Sequence, residues 1–348
     1  MSETTFQTDV AIIGAGPVGL FAVFECGMLN MRCHVVDTLE VVGGQCAALY
    51  PEKPIYDIPA CPSLLGRDLV ERLEVQAAPF EPRYHLDQRV EGLEPTEQGW
   101  RLTTSAGTVI EAKAVIVAAG VGAFGPNRPP LAGLEDYEGR SVFYLVARPE
   151  DFRGKRVVIA GGGDSAVDWA VALAGIAASV QVVHRRAKFR AAPESVRRME
   201  ALSEAGKVEL VIPYQLDSLD GADGRLEAVI VRDLDGGTRA LPADALLPFF
   251  GLSMNLGPIA EWGLNLDRNH IAVDPSTSMT SRDGIYAIGD IATYPNKLKL
   301  ILTGFSEAAM AAHAIHPRVF PGEALHWEYS TTKGLPDGSA GGSPENRD

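Results

Sequence analysis

Two glycine-rich segments of this sequence have the residue types and spacing that bind the phosphates of a dinucleotide. The first is Gly14-Ala15-Gly16-Pro17-Val18-Gly19, which lies between a short apolar run at 10–13 and a largely apolar helix predicted at 20–30. In a strand–turn–helix unit, such glycines permit a tight turn, backbone approach to a pyrophosphate and close packing of the helix. Asp37 follows at 37 − 14 = 23 positions beyond the first glycine, where a carboxylate accepts hydrogen bonds from a ribose hydroxyl. This unit is predicted to hold the adenosine half of FAD or NAD, and the alternative is an incidental glycine turn.

The second glycine-rich segment is Gly161-Gly162-Gly163-Asp164-Ser165-Ala166, which follows an apolar run at 156–160 and precedes a predicted strand at 179–183. The same offset, 161 + 23 = 184, falls on a basic cluster made of His184, Arg185, Arg186, Lys188 and Arg190. Basic side chains there suit a 2′-phosphate, whereas an acidic one suits the unphosphorylated ribose. The contrast predicts NADP(H) in the second unit, and the alternative is a solvated basic turn.

The segments around these turns predict an α/β chain, in which strands alternate with helices. Further apolar strands are predicted at 113–120 and 246–251, and another at 284–290 ends in Gly289-Asp290, before an Ala-rich helix at 304–314. Asp290 is either a cofactor ligand or a simple helix cap. The length of 348 residues favours about two domains.

The amino-acid composition and net charge exclude several classes of protein. The chain carries 31 Lys and Arg against 45 Asp and Glu, a formal net charge of −14, and 46% of its residues are hydrophobic. These values exclude wholesale disorder and argue against broad electrostatic binding to nucleic acid or to an anionic membrane. No apolar run reaches the roughly 18 to 20 residues of a membrane span, and the polar, acidic amino terminus lacks the features of a secretory signal. We therefore expect a cytoplasmic protein, with a disordered tail from about residue 334.

The cysteines indicate no metal or disulfide chemistry. Their positions are Cys26, Cys33, Cys46 and Cys61, and the spacings match neither a C-x-x-C pair nor a zinc ribbon. Their density is too low for a secreted disulfide framework. We therefore expect free thiols, buried or half-buried, and no metal site.

The order of these motifs resembles that of the two-domain flavoprotein reductases of the thioredoxin reductase type, over nearly the whole chain. The motifs are the first glycine turn, Gly43-Gly44-Gln45, Ala-Ala-Gly at 118–120, the second glycine turn with His-Arg-Arg, and Ile-Gly-Asp at 288–290. The resemblance implies two Rossmann-like, three-layer α/β domains. It also implies a discontinuous FAD domain of residues 1–119 and 253–348, with an NADPH domain of residues 120–252 inserted into it.

This chain lacks the redox-active cysteine pairs of two branches of these flavoprotein reductases. Thioredoxin reductases carry a C-x-x-C pair in the NADPH domain before its glycine turn, and residues 121–159 of this chain contain no cysteine. The lipoamide dehydrogenase branch pairs the cysteine at the position of Cys46 with another at 46 + 5 = 51, and this chain has Pro51 there. The resemblance therefore implies a flavin without a tethered disulfide to reduce, whose electrons pass to an external acceptor.

The remaining pattern resembles the ferredoxin/flavodoxin–NADP+ reductases of this architecture, in residues 43–57, 161–169 and 329–333. It implies an FAD-dependent enzyme that passes electrons between NADPH and ferredoxin or flavodoxin, by hydride transfer to flavin N5 and then single-electron steps. It also implies a homodimer with a carboxyl-terminal extension over the flavin. The other candidate functions are reduction of a disulfide protein, quinone or oxygen, and an NADPH-sensing module that binds a partner.

The resemblance also implies roles for individual residues. Tyr50 and Tyr329 would stack on opposite faces of the flavin, with Ser330 or Thr331 near its reactive N5 edge, and Trp327 is the alternative to Tyr329. No side chain is given an acid–base role. The other residues implied to contact FAD, besides the first glycine turn and Asp37, are Gly44, Gln45, Val90, Ala119, Phe124, Gly289 and Asp290.

A ferredoxin partner is usually acidic, and this chain is acidic as well. Productive docking would therefore need a local basic surface, whose charges act mainly on the association rate and its salt dependence. Lys297 and Lys299 are candidates for such a surface, and solvated lysines without a partner role are the alternative.

Overall fold

The chain forms two compact units and passes between them twice. Residues Met1–Ala123 and Met254–Asp348 form unit 1, and residues Phe124–Ser253 form unit 2. The computed structural model describes the chain from residue 4 to residue 323, and only the backbone at residues 4, 123, 124 and 252–254. The sequence placed the changes of domain at 119–120 and 252–253.

The first part of unit 1 alternates strands with helices. Its strands are β1 (Thr4–Ile13), β2 (Cys33–Val36), β3 (Pro54–Ile55), β4 (Leu64–Leu65), β5 (Arg83–His85), β6 (Val90–Thr96), β7 (Gly99–Thr104) and β8 (Thr108–Val117). Its helices are α1 (Pro17–Met28), α2 (Gly44–Ala48) and α3 (Gly66–Ala77).

Unit 2 and the two segments that join it to unit 1 follow. The strands are β9 (Ala123–Pro126), β10 (Arg156–Ala160), β11 (Ser179–Val183), β12 (Glu209–Val211), β13 (Gln215–Ala222), β14 (Arg225–Arg232), β15 (Thr238–Pro242), β16 (Ala245–Pro248) and β17 (Leu252–Asn255). The helices are α4 (Leu134–Tyr137), α5 (Asp164–Leu173) and α6 (Pro193–Glu204). The two joining strands, β9 and β17, pair with each other.

The last part of the chain returns to unit 1. Its strands are β18 (Leu266–Asp267), β19 (His270–Ala272), β20 (Ile285–Ala287) and β21 (Ala292–Thr293). Its helix is α7 (Ile301–Val319), which is longer at both ends than the predicted segment 304–314.

The main sheet of unit 1 is built on β1 and β8. Its order is β5-β2-β1-β8-β7-β6, with parallel pairs from β5 to β8 and an antiparallel meander from β8 to β6. Because both faces of the sheet are covered, β1 and β8 contain continuous apolar runs, in which Ile12 and Ile116 are fully buried. Burial of each such side chain stabilises the unit by about 1.5–3 kcal/mol.

The returning segment completes this sheet and covers one of its faces. β20 pairs in parallel with Val115–Val117 of β8, beyond the stretch that pairs with β7. Helix α7 packs beside α1 in one apolar cluster with the sheet, to which it contributes Ala308 and Ala311. The small side chains allow close approach of the two helices, which explains the alanine-rich sequence of α7.

Unit 2 has three layers. Its parallel sheet has the order β12-β11-β10-β16. Val157 and Ile159 of β10 point into the cluster that contains α5, while Val158 and Ala160 point into the opposite cluster, formed with β14 and β15. Alternation along β10 therefore separates the helical layer from the antiparallel sheet β13-β14-β15.

The predicted fold class is confirmed, because the structure has two α/β units and the first of them is discontinuous in sequence. The predicted strand at 179–183 has the bounds of β11, whereas the helix predicted from residue 20 begins earlier, at Pro17. Within the described residues, no helix is both long enough and apolar enough to cross a membrane.

Candidate functional site

The first glycine turn joins β1 to α1 through close backbone contacts. Gly14 has φ +112°, which glycine adopts without strain, and its N–H donates to the carbonyl of Val36 at 2.8 Å. A Cβ on Gly19 would collide with the carbonyl oxygen of Gly14, so the helix packs directly on the turn. Gly16 is the N-cap before Pro17, and no side chain of the described residues caps this helix. The first N–H groups of α1 are therefore available to an anion.

Asp37 follows β2 and lies against this turn. Its carboxylate accepts hydrogen bonds from the N–H of Ala15 at 2.6 Å and from the N–H of Leu39 at 2.8 Å. Burial raises the pKa of Asp37, and the hydrogen bonds from Leu39 and Ala15 offset part of the rise. A carboxylate has about four acceptor positions, so Asp37 retains the capacity to accept bonds from ribose hydroxyls.

The start of β6 lies beside Asp37. The N–H of Gln88 donates to the carbonyl of Asp37 at 2.9 Å. Val90, two residues further on, is buried in the same apolar cluster as Val36. These contacts bring Val90 to the end of β2, beside the position where an adenosine would meet Asp37.

The segment that begins α2 lies across the first glycine turn. A Cβ on Gly44 would lie 2.9 Å from the Cα atom of Gly16. A Cβ on Gly120 would lie 3.2 Å from Nε2 of Gln45. Gly44, Gln45 and the segment after β8, which includes the half-buried Ala119, therefore lie together at the carboxyl end of the sheet.

Tyr50, Cys46 and Asp290 influence one another electrostatically. Burial, followed by the neighbouring Cys46 thiol, raises the pKa of Tyr50 far above its ordinary value. Burial also raises the pKa of Cys46 to about 11, and the charge of Asp290 contributes to both rises. Two residues with predicted flavin contacts, Tyr50 and Asp290, thus lie within electrostatic reach of each other.

The Gly289-Asp290 turn follows β20 and meets α1. Gly289 has φ +73°, and a Cβ there would lie 3.5 Å from the side chain of Val18. Its N–H donates to Oε2 of Glu307 on α7 at 2.7 Å. The turn is therefore held between the first glycine turn and a buried carboxylate.

Glu307 was not among the residues expected from the sequence. Its side chain is 1% exposed, on the face of α7 where the neighbouring positions Gly304, Ala308 and Ala311 are small and buried. A single acidic residue on an otherwise apolar helical face is the signal that could have identified it.

The second glycine turn repeats the hydrogen bonding of the first. The N–H of Gly161 donates to the carbonyl of Val183 at 3.1 Å, as the first turn does to Val36. The residues that follow these valines, His184 and Asp37, also donate their own N–H groups to the next strand, at 3.2 and 3.1 Å respectively. The equivalence predicted from the spacing is therefore present in the backbone of both units.

Helix α5 begins beside this second turn. Gly163 is its N-cap, no described side chain caps it, and a Cβ on Gly163 would have no described atom within 4 Å. The carboxylate of Asp164 accepts a hydrogen bond from the N–H of Ala192 at 2.8 Å, which fixes the segment before α6 against the turn. Ser165 is exposed in the first helical turn, and Ala166 is buried beneath it.

His184 packs on the turn rather than bonding to it as Asp37 does. A Cβ on Gly162 would overlap the imidazole, which also stacks on Phe189 with 5.0 Å between ring centroids. Burial lowers the pKa of His184, a hydrogen bond with the backbone of Lys188 offsets part of this, and the charges of the neighbouring arginines, Arg190 first, lower the pKa further. The imidazole is therefore uncharged at neutral pH.

The positive charge at this site comes from four exposed side chains, Arg185, Arg186, Lys188 and Arg190. None of them forms an ion pair with a carboxylate in the described part of the chain. The N–H of Arg190 donates to the carbonyl of Gly162 at 2.7 Å, so the segment returns to the glycine turn. Unpaired guanidinium groups beside a helix N-terminus suit a phosphate group.

Some residues of the predicted site are not described. Phe124 lies in β9, where only the backbone is described. Tyr329, Ser330, Thr331 and the alternative Trp327 lie outside the described residues. Their implied contacts with the flavin stay predictions.

Comparisons with known proteins identify the family. The family model described as pyridine nucleotide-disulphide oxidoreductase matches residues 8–314. A ferredoxin–NADP reductase of Paramagnetospirillum magneticum is 65% identical over 333 residues, which cover 95% of this chain and 99% of that protein. The chain belongs to this family of reductases. The ferredoxin–NADP reductase of Rhodospirillum rubrum is 62% identical over 341 residues, covering 97% of this chain and 99% of that protein.

Solved structures show the same fold as this reductase. Thioredoxin reductase of T. acidophilum has a TM-score of 0.79 at 23% identity, covering 89% of this chain and 98% of that one. Thioredoxin reductase of Lactococcus lactis has a TM-score of 0.77 at 25% identity, covering 90% of this chain and 99% of that one. The predicted thioredoxin reductase-like architecture is confirmed.

The cysteines of the reductase are free, as predicted. Cys26, Cys33 and Cys46 are buried, and Cys61 is half-buried. A hydrogen bond with Cys26, and after it burial, raises the pKa of Cys33 well above its ordinary value. A thiol that stays protonated in an apolar core is a poor nucleophile, so Cys33 has the character of a core side chain.

One sequence expectation for the reductase is wrong. Lys297 was a candidate for an exposed docking surface, but its side chain is 5% exposed and forms an ion pair with Glu307. A buried ammonium group needs such a partner, and Lys297 therefore belongs to the interior. Lys299 is exposed, with its Nζ atom 2.6 Å from Nε2 of His270.

Proposed function

We propose that this chain passes electrons between NADPH and ferredoxin, with FAD bound in unit 1 and NADPH bound in unit 2. The observation that carries the proposal is the contrast between two equivalent positions, the inward carboxylate of Asp37 and the exposed guanidinium groups that follow His184. A carboxylate suits a ribose with free hydroxyls, and guanidinium groups suit a 2′-phosphate. The names of the relatives state ferredoxin and NADP for those proteins.

The residues of unit 1 fit FAD in their chemistry. The open N-terminus of α1 would hold the pyrophosphate, and Asp37 would bind the adenosine ribose. Gly16 is the N-cap of this helix, and the nearest described neighbour of a Cβ placed on it would be the Cα atom of Gly44 at 3.9 Å. Glycine at this position therefore leaves room for a phosphate. The amide of Gln45 and the carboxylate of Asp290 would contact the rest of the cofactor.

The chain's own side chains bind, orient and shield rather than carry electrons. A bound flavin supplies hydride exchange with a nicotinamide and single-electron exchange with an iron–sulfur protein. The sequence offers no dithiol beside it, because residue 51 is Pro51 and residues 121–159 contain no cysteine. Electrons leaving unit 1 would therefore pass to a separate acceptor. Flavodoxin is the alternative single-electron partner to ferredoxin.

The proposal extends to the residues that would surround the flavin ring, of which only Tyr50 has a described side chain. Tyr50 would stack on one face of the flavin and Tyr329 on the other, with Ser330 and Thr331 near N5 and Phe124 beside the cofactor. It also includes a cytoplasmic homodimer. These parts rest on the resemblance of residues 43–57 and 329–333 to the family pattern, and sedimentation of the purified protein tests the oligomeric state.

The decisive experiment is anaerobic reduction of the yellow protein by NADPH and by NADH, followed by mixing with ferredoxin. We expect NADPH to bleach the flavin at least about tenfold faster than NADH at equal concentration, since only NADPH engages the arginines. Ferredoxin should then reoxidise the flavin, and free FAD at the same concentration serves as the control.

Three outcomes would contradict parts of the proposal. Protein purified without FAD would contradict the assignment of unit 1. Equal rates with NADPH and NADH would contradict the assignment of unit 2. Reoxidation by a disulfide protein, quinone or oxygen, with none by ferredoxin or flavodoxin, would replace the proposed acceptor.

A further inference from the structure

A buried acidic group lies behind the Gly289-Asp290 turn and is fully partnered by one short segment. Glu307 is 1% exposed, and its carboxylate accepts hydrogen bonds from three groups of residues 289–297. The donors are the N–H of Gly289 at 2.7 Å, the hydroxyl of Tyr294 at 2.7 Å, and the ammonium group of Lys297. One carboxylate on α7 therefore fixes both ends of this segment.

The helix that carries Glu307 is itself close to the first glycine turn. A Cβ on Gly304 would collide with the side chain of Val18 and would lie 3.4 Å from the Cα atom of Gly289. Val18 is the second residue of α1, whose N–H groups face the proposed pyrophosphate position. The buried carboxylate thus lies one layer behind the surface proposed to receive the cofactor's phosphates.

Negative charges accumulate around the Gly289-Asp290 turn and need a compensating positive charge. Glu307 and Asp290 are both acidic, and FAD would add the negative charge of its pyrophosphate. Lys297 supplies the compensating positive charge from the interior, since its side chain is 5% exposed and pairs with Glu307. Breaking a buried pair by removing one partner leaves an uncompensated charge, which is strongly unfavourable. A lone carboxylate behind the turn would also repel the pyrophosphate.

We propose that Glu307 and Lys297 are a positioning pair for the flavin cofactor. The pair holds the Gly289-Asp290 turn against α1 and keeps the charge behind the phosphate site near zero. The inference rests on the proposed function, because it names residues that set the FAD affinity of unit 1. Neither side chain touches the reacting atoms, so the effect is on binding and not on a chemical step.

The test measures the Kd for FAD of purified holoenzyme variants. FAD is released on dilution, and its release is monitored by the recovery of flavin fluorescence. Lys297→Met should raise the Kd for FAD by about 30-fold or more, because it leaves the buried carboxylate of Glu307 without its cation, directly behind the proposed pyrophosphate position. Glu307→Gln should raise the Kd by only about fivefold, because its amide oxygen still accepts from Gly289 and the remaining ammonium charge of Lys297 attracts the pyrophosphate instead of repelling it.

The double variant Glu307→Gln/Lys297→Met distinguishes a loss of charge balance from a loss of packing, because a second loss of packing would weaken FAD binding further. It should bind FAD more tightly than Lys297→Met alone, because both charges are gone together. Lys299→Met is the matched control, an exposed lysine two positions further along, and should bind FAD within about twofold of the unmodified protein.

The outcomes separate this inference from the proposed function. An unmodified protein without FAD would overturn both. An unmodified protein that binds FAD, with all variants close to its Kd or with the double variant weaker than Lys297→Met, would overturn the positioning pair alone. If Lys297→Met does not fold, Glu307→Gln decides the matter, and an unchanged Kd for that variant overturns the pair.

Discussion

Units 1 and 2 build the same turn with the same backbone hydrogen bonds, and they place opposite chemistry at equivalent positions. In unit 1, Asp37 points inward and both carboxylate oxygens accept backbone N–H groups of the turn and of the segment after it. In unit 2, His184 packs between Gly162 and Phe189, and the charge is carried by arginines exposed to solvent. The group proposed to recognise the nucleotide is therefore held by the backbone of the fold in unit 1, whereas in unit 2 it is exposed and makes no such contacts with the described residues. Substitutions should damage stability and binding together in the first case, and selectivity alone in the second.

The largest effect should come from removing the exposed charge of unit 2. In Arg185→Ala/Arg186→Ala, the preference for NADPH over NADH should fall by about 100-fold to 1,000-fold, because two charge-assisted contacts to a 2′-phosphate are lost. The melting temperature should stay unchanged. The measurements are kcat/KM with each nucleotide and calorimetry. Arg239→Ala removes an exposed arginine of β15 as the control, and a retained preference for NADPH in the double variant would contradict the assignment.

A smaller effect, with a different signature, should follow substitution at the equivalent position of unit 1. Asp37→Ala should weaken FAD binding by about 30-fold and also lower the melting temperature, because the N–H groups of Ala15 and Leu39 lose their acceptor. FAD fluorescence titration and thermal unfolding measure the two effects. Glu97→Ala, at an exposed turn of the same unit, is the control. Weaker FAD binding at an unchanged melting temperature would contradict the difference between the units, because Asp37 would then contribute to binding without stabilising the fold.

The smallest effect should come from His184 itself. Burial lowers its pKa, so the imidazole has already lost its proton at pH 7 and gains charge only as the pH falls below its ordinary pKa of about 6.5. His184→Gln should therefore change the NADPH preference by no more than about threefold, and the difference from the unmodified protein should stay constant from pH 7 to 9. Titration of NADP+ binding across this range is the measurement. The prediction would be wrong if the unmodified protein bound NADP+ increasingly more tightly than His184→Gln as the pH falls from 8 to 7, because the histidine would then carry charge in this range.

The register of the two turns could be predicted from the sequence because parallel strands fix it. Once β1 and β2 pair through the bond from Gly14 to Val36, the offset to Asp37 is set, and the same bond in unit 2 sets His184. Helix ends were predicted less well. The segment around α7 extends beyond its predicted bounds at both ends, where the local sequence has no strong start signal and packing on α1 sustains the helix.

The contacts of Lys297 could not be predicted in the same way. It stands in an alternating Lys-Leu-Lys-Leu stretch, and charges in such a stretch are normally solvated. Its partner Glu307 is ten residues away on another element, and the two meet only because the chain turns back onto α7. The spacing of ten residues does not predict this ion pair. The pair forms because both side chains are buried where the chain folds back onto α7.

The discontinuity of unit 1 has a consequence for how the molecule is made. Its sheet lacks β20 and its first helix lacks the cover of α7 until the ribosome has synthesised everything up to the carboxyl-terminal part of the chain. Unit 2 comes from one uninterrupted stretch, so its core closes earlier, while the edge of β8 is still open. The order of translation therefore places assembly of unit 2 before completion of unit 1.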